Sequence, residues 1–359
     1  MAAYALEGNP HASHAHGAHA REAVETARTE ISALIGVRPG EIVFTSGATE
    51  SNNLAILGLA ARLRAISRPR ILVGAGEHPS ILAAVAASGC PLDIVPLRRD
   101  GQHDLEALER QLNETVGLVS LSAANHEVGA VADLGEIVAL CHRAGALVHS
   151  DLSQAVGSIT VLAGEIDLAS FSAHKLYGPA GIGVLYVRRS LRPKLVPLLV
   201  GGGQEGGLRA GTLPTALCVA FGAACTITRG EVAAEGARLT ALRESLLEML
   251  LEIPGATLNG PRAPRLPGNI NIGFDGVDAE ALLVAVKETL SISSGSACTS
   301  ARLEPSHVLL AMGLTEEEAE RAIRIGLGRW TTEDDVATAA AELTRAVASL
   351  RNTRWRLGA

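Results

Sequence analysis

No stretch of this sequence approaches the run of about eighteen apolar residues that a membrane helix needs, and the N-terminus has no apolar signal-peptide core. A basic surplus is missing as well. Lys and Arg number 31 against 38 Asp and Glu, for a formal charge of −7, which argues against a nucleic-acid-binding footprint. The five cysteines are an odd number without framework spacing or a paired C-x-x-C, so they do not read as a disulfide scaffold and they fit a reducing cytoplasm. No internal repeat is apparent. What is present is a globular composition, 47% hydrophobic over 359 residues. That length exceeds the roughly 250 to 300 residues at which a single core stops growing, so two domains are expected.

Between residues 40 and 190, strand-like apolar runs alternate with helix-periodic segments. The strands fall near 42–44, 71–74, 92–95, 116–121, 146–150, 167–171 and 182–187. Such alternation predicts an α/β domain around a mostly parallel, seven-stranded sheet, with ligands at the carboxyl ends of the strands. Beyond a glycine-rich loop at 201–207 the pattern changes. Leu239, Leu242, Leu246 and Leu250 mark a long helix, followed by Pro- and Gly-rich sequence at 260–268 and a strand over 269–274. A helix over 279–290, a cysteine-bearing loop and a strand near 323–327 come next, and Thr332 opens the last helix in a capping-box spacing with Asp335. The expectation is a large domain over 1–233 and a smaller C-terminal α+β domain over 234–359.

The most telling run is Ser170-Phe171-Ser172-Ala173-His174-Lys175, an apolar strand leading into Ser, His and Lys. A lysine held in a walled site can offer its amine to a carbonyl as a Schiff base, the chemistry of pyridoxal phosphate (PLP). Taken alone, such a lysine is more often a solvated strand cap. Asp151, closing the apolar run 146–150, supplies support: a buried carboxylate there needs a cation or donors, and a protonated pyridine nitrogen is such a cation. Its bland alternative is a turn residue or a surface ion pair. The segment from Thr45 to Asn53 adds a glycine-containing turn at a helix N-terminus, a natural phosphate cradle whose plain reading is helix capping by Thr49.

In those residues and in further blocks in the same order, the chain resembles the cysteine desulfurases, PLP enzymes of the aspartate-aminotransferase fold (fold type I). The blocks include Phe44 to Ser51, Glu77-His78, Asp151 to Gln154, Ser172 to Pro179, Arg209 to Thr212, Ser293 to Ser300 and Ile323-Arg324, and the likeness runs from Gly8 to about Leu350. The resemblance implies that Lys175 carries PLP and moves protons at the substrate Cα. It implies that His78 stacks on the ring and serves proton transfer, that Asp151 pairs with the pyridine nitrogen and that Gln154 bonds the ring hydroxyl. Ala48, Thr49, Ser172 and His174 would hold the phosphate with Thr212 of a second subunit, in a homodimer. Arg324, with Asn125 and His126, would bind the carboxylate of L-cysteine, and Cys298 would take its sulfur as a persulfide, releasing L-alanine. The small, polar loop around Cys298 also suits an exposed, mobile thiol without any analogy. Cys90, Cys141, Cys218 and Cys225 read instead as reduced core residues.

Three departures from the family pattern stand out. Only Met1 to Glu7 precede Gly8, so a family segment of the type Tyr-Leu-Asp-Asn-Ala-Ala-Thr-Thr-Pro is absent from this sequence. His126 stands where the family has a second Asn, which bears on substrate more than on cofactor. Gly206 stands where an Arg is usual, and its loop is expected to loosen. His11, His14, His16 and His19 cluster, but their spacing fits no closed zinc site. The reading that results is a PLP-dependent cysteine desulfurase acting on L-cysteine and passing sulfur to an acceptor protein, with no direct nucleic-acid or membrane partner. A selenocysteine lyase, another PLP lyase or transaminase, and a catalytically weak homologue acting as a scaffold remain alternatives. The acceptor is not legible, whether an iron-sulfur scaffold, a tRNA thiolation protein or a DNA sulfur-modification partner.

Overall fold

The computed structural model describes residues 8–294 and 305–357. Its chain divides into two compact units. The first comprises residues 8–95, 105–123 and 133–233, and the second residues 96–104, 124–132 and 234–357 among those described.

Unit 1 is built on strands β1 (Ile42–Thr45), β2 (Arg70–Gly74), β3 (Leu92–Val95), β4 (Val116–Ser120), β5 (Leu147–Asp151), β6 (Leu168–Ser172) and β7 (Gly183–Val187). They form one seven-stranded sheet in the order β1-β7-β6-β5-β4-β2-β3. Only β7 runs against its neighbours, pairing antiparallel with β1 and β6, while β6, β5, β4, β2 and β3 pair in parallel. Strands β4, β6 and β7 are buried along their whole length, as parallel-type sheets covered on both faces require. The covering helices are α1 (Ala15–Leu34), α2 (Ala48–Ala65), α3 (Pro79–Ser88), α4 (Leu105–Gln111) and α5 (Leu134–Arg143), with the first part of α6 (Thr215–Leu251). Leu54, Leu59 and Leu63 of α2 and Ile81 and Val85 of α3 share one core with the sheet residues Val43, Ile71 and Leu185.

Two features of unit 1 differ from what the sequence suggests. The Gly-rich loop is tied down rather than loosened. Buried Glu205 takes a two-pronged pair from Arg28 at 2.8 Å on each oxygen and also accepts the Phe44 N–H at 2.7 Å. Burial works against the Arg28 cation, but the hydrogen bonds and charge of Glu205 more than offset it and hold the guanidinium above its ordinary value. Gly206 itself has φ +65°, a conformation that disfavours an arginine there. Helix α6, moreover, contains an 18-residue window apolar enough to cross a membrane by length and composition. Its apolar residues have a different use. Cys218, Phe221 and Cys225 are buried in unit 1, Phe221 lying edge-on to Phe171 at 5.7 Å, and Leu242, Leu246 and Leu250 belong to the core of unit 2. The charged residues Arg229, Glu231, Glu235 and Arg238 separate those two clusters.

Unit 2 holds a four-stranded sheet of β8 (Ala256–Leu258), β9 (Asn269–Phe274), β10 (Ser293–Ser294) and β11 (Ala322–Gly326) in the order β10-β11-β9-β8, antiparallel throughout. Helices α7 (Ala279–Val286), α8 (His307–Ala311), α9 (Glu316–Glu320) and α10 (Glu333–Leu357) complete it. Helix α7 stops short of residue 290, where the Thr289 hydroxyl and N–H both bond the Val286 carbonyl and close the last turn. Thr332 does cap α10, exchanging hydrogen bonds with Asp335 at 2.8 to 3.2 Å.

Unit 2 is not a contiguous segment, because 96–104 and 124–132, inside the stretch expected to form the large domain, belong to it. The reason is close packing. A Cβ on Gly101 would lie 2.8 Å from Val128, the Gln102 amide donates to the Val131 carbonyl at 3.0 Å, and Asn269 donates to the Glu127 carbonyl at 3.2 Å.

Candidate active site

In unit 1 the residues of interest lie at or just beyond strand ends. Strand β1 leads through Gly47 into α2, and this helix start has no side-chain cap, in contrast to the Thr49 capping considered from sequence. The Ala48 N–H instead donates to the Ser172 hydroxyl at 2.7 Å, which joins the ends of β1 and β6. Glycine is needed here: a Cβ on Gly183 would come within 2.6 Å of the Gly47 Cα. Strand β6 continues into a 3-10 turn, Ala173–Leu176, that carries His174 and Lys175. Both are exposed, so Lys175 is not walled in by unit 1. Partial burial, then the adjacent Lys175 charge, hold the His174 imidazole below its usual value. Thr49 and Thr212 are exposed as well, and Gln154 is half-buried with no hydrogen bond from its side chain among the described residues.

Asp151 is the most constrained of these groups. It is 8% exposed at the end of β5. The Asn52 amide donates to its Oδ2 and the Ser153 N–H to its Oδ1, both at 2.9 Å, and it makes no ion pair among the described residues. Asn52 also donates to the Ser80 hydroxyl at 3.0 Å, and Ser80 lies 2.8 Å from His78 Nδ1. Thus Asp151 and His78, 73 positions apart in sequence, belong to one hydrogen-bonded group with Asn52 and Ser80. Sequence reading found the two ends and missed the middle, because a polar residue inside an amphipathic helix carries no signal of its own.

Two further buried groups surround that carboxylate. His149, two residues earlier on β5, bonds the hydroxyls of Ser120 at 2.8 Å and Ser170 at 3.0 Å, and burial holds it neutral against the pull of Asp151. Glu77 is fully buried and bonded by the Ser122 N–H at 2.6 Å and by the Ser122 hydroxyl. Burial first, and the Asp151 charge besides, push its pKa up to about 8, against the contrary effect of Ser122. Burial thus favours the neutral forms of Glu77 and His149 beside the Asp151 carboxylate.

The unit suits a ligand with an anionic end and a cationic one. An uncapped helix N-terminus with nearby hydroxyls matches a phosphate, and a buried carboxylate with donors but no cation among the described residues matches a protonated ring nitrogen.

Unit 2 carries the remaining candidates. Arg324 on β11 sits opposite Ser293 and Asn271 and donates from Nη1 to the His126 carbonyl at 2.9 Å. That bond uses backbone, so any residue type at 126 would provide it. The Asn125 side-chain oxygen accepts the N–H groups of Glu127 and Val128 at 2.9 and 3.0 Å and shapes the turn. His126 Nε2 lies 3.7 Å from a Glu127 oxygen, and its ring is 6.4 Å from that of His307. Glu127 is buried and takes a 2.5 Å bond from Ser306; burial raises its pKa to about 7, with Ser306 and the Arg324 charge opposing. Cys298 lies outside the described residues. The other four cysteines are buried, and burial pushes the thiols of Cys141 and Cys218 up to about 12. His14 caps α1, its Nδ1 accepting the Gly17 N–H.

Comparison with known proteins places this arrangement in a class. The aminotransferase class-V family matches residues 2–338, and the chain belongs to that family. Within it, the chain is a member of the cysteine desulfurases. It is 43% identical over 352 residues to the cysteine desulfurase IscS of Rickettsia bellii, covering 96% of this chain and 85% of the relative. Among solved structures, a NifS-like protein superposes with a TM-score of 0.90 at 32% identity, over 97% of this chain and 94% of its own, and the fold is PLP fold type I. A structure of SspA in complex with cysteine matches with a TM-score of 0.79 at 32% identity, over 90% of this chain and 92% of the other.

The Glu77 environment has a measurable consequence. The folded protein keeps a proton on Glu77 between its ordinary 4.5 and about 8, whereas the unfolded chain releases it, so this group lowers stability as pH rises through that window. Glu77→Gln keeps the acceptor for the Ser122 N–H and has no proton to lose, while its NH2 donates to the Ser122 oxygen, as a protonated carboxyl would. Relative to the parent protein it is expected to gain stability between pH 5 and pH 8, by on the order of 2 kcal/mol. Urea unfolding of both proteins at the two pH values checks this, and a stability difference independent of pH would contradict it.

Proposed function

We propose that the protein binds PLP and converts L-cysteine to L-alanine, placing the sulfur on Cys298 as a persulfide for transfer to an acceptor protein. The observation that carries this reading is the buried Asp151 carboxylate, with donors and no cation beside it among the described residues, in a chain that belongs to the cysteine desulfurases. PLP, when bound, supplies an electron sink that weakens bonds at the substrate Cα. Every other part of the reaction falls to the chain. The α2 N-terminus with Ala48, Thr49, Ser172 and His174 would hold the phosphate, joined by Thr212 from the second copy in a homodimer. Asp151 would keep the ring nitrogen protonated, and Gln154 would bond the ring hydroxyl. Lys175 would hold the cofactor covalently and later carry a proton to and from the substrate Cα, while His78 would stack on the ring and transfer protons.

Arg324 would bind the substrate carboxylate through its planar fork, with Asn125 and His126 beside it. The Cys298 thiolate would attack the substrate sulfur. One S–S bond forms and one C–S bond breaks, the electron pair stays with the substrate carbon, and that carbon takes a proton, so two thiols give a persulfide and alanine without an outside oxidant. Four buried thiols, two of them raised to about 12, are poorly suited to that attack and leave it to Cys298. The compartment inferred is the cytoplasm, where a persulfide carrier meets a reducing pool.

Cys298→Ala is expected to bind PLP as the parent does while losing alanine release by more than about a hundredfold. Mass spectrometry of the parent after cysteine treatment should find one reductant-labile sulfur on the peptide holding Cys298. Alanine release at the parental rate in the variant would favour a selenocysteine lyase or another lyase.

His126 is bulkier than the usual amide and sits against the Glu127 carboxyl. His126→Asn is therefore expected to lower the KM for cysteine roughly three- to tenfold, the size of one modest hydrogen bond, with PLP affinity unchanged. Steady-state kinetics on both proteins decides, and an equal or higher KM in the variant removes the idea.

A further inference from the structure

Asn52 and Ser80 stand between two residues whose roles the proposed function assigns, and their hydrogen bonds have a direction that can be worked out. Asp151 as a carboxylate only accepts, so the Asn52 group 2.9 Å from its Oδ2 is the NH2 and not the oxygen. The same nitrogen lies 3.0 Å from Ser80 Oγ, so its second hydrogen goes to that hydroxyl. The Ser80 hydroxyl proton is then free to turn to His78 Nδ1, 2.8 Å away. Independently, the Ser80 backbone N–H, which can only donate, points at the same Nδ1 at 3.1 Å. His78 Nδ1 thus faces two donors, and a proton on that nitrogen would meet both head-on. The ring's proton is left on Nε2. The N-cap place of His78 on α3 acts in the same sense, since a helix N-terminus disfavours a cation.

The arrangement has a cost that points to its purpose. Asn52 is 1% exposed, and its amide oxygen is buried with no hydrogen-bond partner among the described residues. An amide turned only for packing would not leave an acceptor orphaned, because a buried unsatisfied polar atom is costly. Here both hydrogens are committed, one to Asp151 and one toward His78.

We propose that Asn52 is a positioning residue serving both ends of the site: one side-chain amide holds the Asp151 carboxylate and, through the Ser80 hydroxyl, fixes His78 as the Nε2–H tautomer. The role given to Asp151 and His78 rests on the proposed function; the network itself does not. Asn52 would bring the pyridine-nitrogen partner and the proton-transfer histidine into one rigid unit formed by α2, α3 and the end of β5. Removing the amide should therefore disturb both ends, and removing the hydroxyl only one.

The test uses full-length protein labelled with 15N in histidine, the His78 signals being assigned by their loss in His78→Gln. The parent should show an unprotonated, hydrogen-bonded Nδ1 and a protonated Nε2. Asn52→Asp keeps the shape but has no amide hydrogens, and its new carboxylate draws the Ser80 proton away. This variant is expected to lose PLP affinity about ten- to a hundredfold, the range of a hydrogen bond to a charged group, and to shift the Nδ1 signal toward that of an unbonded nitrogen. Ser80→Ala should show the same Nδ1 shift with PLP affinity within about threefold of the parent. An Nδ1–H tautomer in the parent overturns the proposal, as does a Ser80→Ala spectrum identical to the parent's. A loss of PLP affinity as large in Ser80→Ala as in Asn52→Asp also overturns it. If the parent takes up no PLP, the proposed function fails, while the His78 signals still decide the network; if Asn52→Asp does not fold, Ser80→Ala still does so.

Discussion

The buried Asp151 carboxylate organises the strand-end site of unit 1. Asp151 lies at the end of a buried strand with two donors, and an ionised carboxylate in such a place is tolerated only when its surroundings answer it. Asn52 and the Ser153 N–H answer it directly. Glu77 is driven to its neutral form in part by the same charge, and His149 beneath it stays neutral with both ring nitrogens bonded to serine hydroxyls. The consequence is a carboxylate held by donors beside neutral neighbours, which suits a cofactor whose ring must remain protonated.

In the proposed function unit 2 has a different task, the capture of a carboxylate. Arg324 is oriented by the His126 carbonyl, and burial raises the nearby Glu127 to about 7 against the Arg324 charge. This division leaves His126 free to differ from the family without disturbing Arg324, since the backbone at 126 and not its side chain makes the contact.

How much of this was legible in the sequence depended on the range of the interaction. Strands β1 to β7, the strand end at Asp151 and the cap of α10 come from local patterns of burial and hydrogen bonding, and they stand where the sequence puts them. Segments 96–104 and 124–132 read as part of the large domain because chain order is the only guide in a sequence, while glycine-mediated packing of Gly101 on Val128 decides their membership. Asn52 reads in the sequence only as part of a phosphate cradle, and its bond to Asp151 is hidden for the same reason: the partner is 99 positions away. The loosening expected at Gly206 failed because the anchor of that loop is Glu205, whose partner Arg28 lies on α1, 177 positions earlier. Substitution of a family arginine said nothing about that pair.

The proposed PLP site is built around Lys175, and the scarcity of lysine makes that assignment easy to test. There are three lysines in all, Lys175, Lys194 and Lys287. Borohydride treatment of protein reconstituted with PLP, followed by peptide mapping, should place a stable pyridoxyl group on Lys175 and on neither of the others. A reduced adduct on Lys194 or Lys287, or no adduct on protein that retains its fold, would contradict the account.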